Sequence, residues 1–188
     1  MNILGTITHI RNFLTNTFDE IDTWFELPET LRHFRPARGS WTIDEVLEHI
    51  GLTNHFLLIL IDKGTSKAWN NVHQLDLAAV LADYTFRTDQ LTEVGLHQSF
   101  EWIRPEHMEP KGEKSLPEVR QQLKDQLTQC LAYLDRMPNG EGVLYKTTMT
   151  VNQLGKIDVY EYIYFLAQHG SRHIMQMQQN EKEWENRP

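Results

Sequence analysis

The sequence predicts an all-α four-helix bundle, and three observations carry that prediction. Four long stretches space their apolar residues three and four apart, as one face of an α-helix requires. No set of alternating segments makes a convincing sheet. The 188 residues, 40% of them hydrophobic, suit one domain spanning 1–188 with a core that needs no covalent staple.

The first helix is expected over about residues 6–27, with Ile7, Ile10, Leu14, Phe18, Ile21 and Phe25 on one face and Pro28 as its stop. A linker containing Pro36 and Gly39 leads to the second, expected over about 42–62. Thr42 and Glu45 have capping-box spacing there, and Gly64 stands where a C-terminal stop belongs. Residues 65–114 carry weaker patterns: a shorter helix over 77–94, then a loop through SFEWIRPEHMEPKGEKS with its two prolines and a glycine. Ser115 and Glu118 repeat the capping box at the start of the third long helix, about 115–137, whose stripe runs Leu116, Val119, Leu123, Leu127, Cys130, Leu134, Met137. A connector over 143–156, partly extended around TTMTV, precedes the last helix at about 157–180, and 181–188 reads as a polar tail. The link of about fifty residues between the second and third long helices far exceeds the 2–8 usual in bundles. It can therefore cross the bundle, so a simple up-down-up-down order does not follow.

Composition excludes several classes. Twenty-six acids against eighteen bases give a net charge of −8, without the basic face that nucleic acid or an anionic membrane would need. No unbroken apolar run exceeds six residues, as in Phe56–Ile61, where a membrane span needs about twenty. The N-terminus lacks the features of a signal peptide, and the lone Cys130 allows neither an internal disulfide nor a cysteine zinc site, so a reduced, cytoplasmic protein is expected. Gly-x-Ser-x-Gly, P-loop, Gly-x-Gly-x-x-Gly, His-Glu-x-x-His and Glu-x-x-His patterns are all missing from the chain.

Histidine is the residue left to explain. Nine histidines would by chance supply about 0.4 His-x3-His pairs, and the chain has one, His169 and His173. On a helix these lie about 40° apart, on the arc that holds Val159, Tyr162, Leu166, Gly170 and Met177, so both rings face the packing side. Two inward imidazoles one turn apart can share a metal ion, each using its other nitrogen for an orienting hydrogen bond. The alternative is a pair of core-edge histidines bonded to carboxylates or tyrosines on neighbouring helices. His49, beside the Val46–Ile50–Leu57 stripe and in line with Thr53, is the best third ligand. His9, His33, His55, His73, His97 and His107 are expected at the surface or in structural roles.

FRPARGSWTIDEVLEHI, RPEHMEPKGEKSLPEVRQQL and LGKIDVYEYIYFLAQHGSRHIMQMQ, in that order, resemble the DinB-like superfamily of metal-binding four-helix bundles over about residues 6–180. The specific parts are Trp41 and His49 in the first block and His169, His173 and Gln176 in the last. The resemblance implies a divalent metal, zinc or nickel foremost, held by His49, His169 and His173. Gln176, Tyr162, Trp41 and Thr53 would support the ligands or wall the pocket. It also implies a homodimer acting on a small molecule, with thiol S-transferases that use low-molecular-weight thiols, a thiol-dependent isomerase and metal-dependent hydrolases among relatives. A non-catalytic metal-binding stress-response or ligand-sequestering bundle is the competing reading, and a purely structural dimerising bundle a third. One departure stands out: many relatives carry Asp or Glu directly after the first histidine of the pair, and this chain has Gly170, leaving Gln168, Ser171 or Gln176 to orient the ring.

Overall fold

The structure, a computed structural model, describes residues 2–37, 39–96 and 105–187. Four long helices form its frame: α1 (Ile3–Thr23), α3 (Ile43–Asn71), α6 (Leu116–Arg136) and α7 (Val159–Glu185). Short helices α2 (Glu29–Arg32), α4 (Leu77–Ala82) and α5 (Thr88–Gly95) lie in the connections, and a two-stranded hairpin, β1 (Lys146–Met149) with β2 (Gly155–Asp158), precedes α7. Among the described residues no helix is long and apolar enough to cross a membrane.

Each long helix starts on a side-chain cap. Asn2 accepts from the Gly5 amide, and Thr42 with Glu45, Ser115 with Glu118 and Asp158 with Glu161 close capping boxes. These satisfy amides that a helix N-terminus leaves without carbonyl partners.

Side-chain contacts fix the directions. Asp22 meets Arg120 and Arg11 meets Asp135, so α1 and α6 are antiparallel. Asn180 reaches the Trp41 carbonyl while Gly64 abuts Val159, so α3 and α7 are antiparallel too. Gln126 bonds to the Gly51 carbonyl and Tyr133 to Asp62, which makes α3 and α6 parallel. A parallel successor demands a return along the bundle, and α5, in the connection between α3 and α6, runs in that direction. α5 runs beside α7, from the Arg87–Glu161 ion pair to the contact of Gly95 with Gln168. The order is therefore up-down-down-up around a core that includes Ile10, Leu14, Ile21, Leu47, Ile50, Cys130, Leu134 and Phe165, all buried.

Several boundaries differ from the sequence expectation. Gly64 does not stop its helix: α3 continues to Asn71, and Gly64 instead lets α7 approach, since a Cβ there would lie 3.1 Å from Val159 Cγ2. The first helix ends at Thr23 in a 3-10 turn over Trp24–Glu26, and the single helix foreseen over 77–94 is two, broken at residues 83–87. Residues 181–185 are helical and not a polar tail, because Asn180 and Glu183 tie this end to the Trp41 carbonyl and the Ala37 amide. The extended stretch around TTMTV is present as β1. His97 and residues 99–104 of SFEWIRPEHMEPKGEKS lie outside the described residues, and the rest of that stretch is a loop with one 3-10 turn, Glu106–Met108.

Candidate metal centre

His49 stands in the second turn of α3, and His169 and His173 are one turn apart near the middle of α7. Because α3 and α7 are antiparallel, these positions fall at the same level. One ring nitrogen from each of the three lies within 4.8 Å of the others. The ring centroids are 5.3 Å apart for His49 and His169, 4.8 Å for His49 and His173, and 4.5 Å within the α7 pair. All three side chains are buried.

Hydrogen bonds decide which nitrogens face inward. The Met108 carbonyl can only accept, so His49 Nδ1, 2.6 Å away, carries the proton and its Nε2 presents a lone pair. Gln176 Oε1 does the same for His173 Nδ1 at 2.9 Å, leaving His173 Nε2 towards His169 Nε2 at 3.0 Å. Burial, and then the fields of His173, His49 and Arg172, hold His169 well below the ordinary histidine range. His169 is thus neutral near pH 7, as a ligand must be.

The donor set fits a metal ion. Two imidazole nitrogens bound to one tetrahedral ion at 2.0–2.1 Å stand about 3.3 Å apart. The α7 pair is already within a few tenths of that, and His49 would close by at most about 1.5 Å from the 4.8 Å limit. Three neutral imidazoles would hold a divalent ion without cancelling its charge.

Trp41 packs its ring 4.6 Å from that of His49 and so covers the ligand face. Thr53, one turn beyond His49, is buried, and its Oγ1 has no hydrogen-bond partner among the described residues. Tyr162 is not part of this cluster: it lies about 10 Å further along α7 from His169, and its hydroxyl donates to the Thr148 carbonyl of β1. His33, His55, His73 and His107 are exposed and His9 is half-buried. Gly170 faces α1, where a Cβ would stand 3.1 Å from both Ile21 Cδ1 and Thr17 Cγ2. An acidic side chain at 170 has no room on that face, and Gln176 is the group that orients His173.

Two participants escaped sequence reasoning, the Met108 carbonyl and Glu48, which binds the backbone of the same loop. A carbonyl leaves no residue-type signal, and Glu48 reads as an ordinary helical acid.

Fold and site together define an all-α bundle with a buried three-histidine cluster between its second and last long helices. The family model described as the DinB superfamily matches residues 14–177, and the chain belongs to that superfamily. No curated protein and no solved structure matches it.

Proposed function

We propose that the protein is a metal-dependent enzyme that transfers a low-molecular-weight thiol onto a small electrophile, with a divalent ion, zinc or nickel, held by His49, His169 and His173. The observation that supports it best is the convergence of three buried histidines, two of them with Nδ1 hydrogen-bonded so that Nε2 faces the others. Bound there, the ion would supply a Lewis acid able to favour a thiolate or hydroxide near neutral pH. The chain's own residues prepare the donors. Burial holds His169 neutral, Met108 and Gln176 orient His49 and His173, and the Trp41 ring packs over His49. In the transfer a C–S bond forms, the leaving group departs with its bonding pair, and the thiol proton passes to solvent. A hydrolase uses the same layout with water in place of the thiol. The small-molecule substrate, the homodimer and the cytoplasmic setting belong to this proposal as well.

The alternative, a bundle that binds the metal without catalysis, has in its favour the full burial of the ligands. Metal-loaded protein incubated with L-cysteine and monochlorobimane, and separately with p-nitrophenyl acetate, separates the two. A rate that needs the ion and disappears in His173→Ala supports the enzyme. No metal-dependent rate with any thiol, electrophile or ester favours the binding module.

A further inference from the structure

Glu48, next to the candidate ligand His49, is only 8% exposed. A carboxylate so buried needs hydrogen-bond donors. It accepts from the Gly112 amide at 2.9 Å and the Lys111 amide at 3.3 Å. These successive amides converge on one carboxylate, and the chain then turns away at Gly112 with a left-handed φ of +68°.

The same loop meets α3 at two further points. The Met108 carbonyl accepts from His49 Nδ1, and the His107 ring packs 4.4 Å from that of Phe56. Glu48 and His49 project about 100° apart from the helix, so they grip the loop on two sides. Among the described residues of the loop, Met108 stands at the end of a 3-10 turn, Glu106–Met108.

We propose that Glu48 is a positioning residue: by clamping the Lys111–Gly112 backbone to α3 it fixes the Met108 carbonyl, and through it the tautomer and ring orientation of His49. The proposal rests on the metal-site reading above for its purpose, but its geometry is independent of any ion. Groups that orient a ligand from outside the coordination shell are worth about 10–100-fold in metal affinity.

The test uses the metal-free full chain. Long-range proton–nitrogen NMR of the imidazoles should show His49 in the Nδ1–H form. In Glu48→Ala that signature should give way to mixed tautomers, with exchange of the Gly112 amide rising at least about tenfold, as expected when a local closed state is lost. Glu48→Gln, which keeps one acceptor oxygen, should fall between. Gly112→Ala loosens the clamp from the loop side: the left-handed φ disfavours alanine, while nothing lies within 4 Å of the added Cβ. It carries the test if Glu48→Ala does not fold. Zinc affinity by chelator competition should drop about tenfold in Glu48→Ala. A His49 tautomer and Gly112 exchange unchanged in the folded variants would overturn the clamp and leave the metal site standing. A tautomer that shifts as expected in a protein that takes up no zinc would sustain the clamp and overturn the metal site.

Discussion

Removing Arg87 should strand a buried charge. Its guanidinium donates to Glu161 Oε1 at 2.8 Å and Oε2 at 3.0 Å, and to the Leu154 and Lys156 carbonyls at 2.8 Å each. Glu161 is 1% exposed and Arg87 30%. Breaking a fully buried pair from one side costs about 3–5 kcal/mol. Solvent reaching the Arg87 side lowers this, and Glu161 keeps the Asp158 amide as a donor, so Arg87→Ala should cost about 2–3 kcal/mol. For a chain of this length that is roughly 5–10 °C in Tm. Calorimetry at pH 7 would read it, with the double variant Arg87→Ala/Glu161→Gln beside it. The double variant should recover at least half of the loss, because the stranded carboxylate and not the missing contact carries most of the cost. A single-variant drop under about 2 °C, or a double variant no better than the single, would refute this view of the pair.

Other consequences follow from buried polar groups and close contacts. Burial, and then Glu161, push the Asp158 carboxyl up to about 7. The native state therefore holds a proton that the unfolded chain has released, and this contribution to stability is lost as pH rises through 7. Asp158→Asn, which keeps a cap oxygen, should flatten that decline and raise Tm relative to wild type at pH 8 but not at pH 5; parallel melts check it. Gly142 faces the Tyr160 ring, where a Cβ would stand 2.8 Å from Cε2 of a fully buried side chain, so Gly142→Ala should cost about 1–3 kcal/mol in urea denaturation. Thr53→Val removes a buried hydroxyl that has no hydrogen-bond partner among the described residues; urea denaturation should show metal-free stability unchanged or raised by up to about 1 kcal/mol.

The parts of the molecule legible in the sequence are those governed by local rules. Periodicity marks α1, α3, α6 and α7 because each buries one face, and the capping boxes at Thr42 and Ser115 stand where their spacing places them. His49, His169 and His173 were legible as one cluster because inward-facing histidines on long helices are few. What stayed hidden depends on tertiary contact. Gly64 has the form of a helix stop, yet it serves the approach of Val159. The split between α4 and α5 coincides with Arg87, whose partners on α7 and around β2 are 67–74 residues away. Tyr162 shares the helical arc of the histidines, but distance along the axis removes it from the cluster. The direction of α6 was open because a long connection permits either choice, and side-chain pairs such as Tyr133–Asp62 reveal it.

The most direct test is the metal content of untagged protein after reconstitution with zinc or nickel, beside His49→Ala and His173→Ala. About one equivalent in the wild type and little in either variant, with all three proteins folded, is the predicted result. A wild type that stays metal-free, or variants that retain a full equivalent, would contradict a metal centre built on His49, His169 and His173.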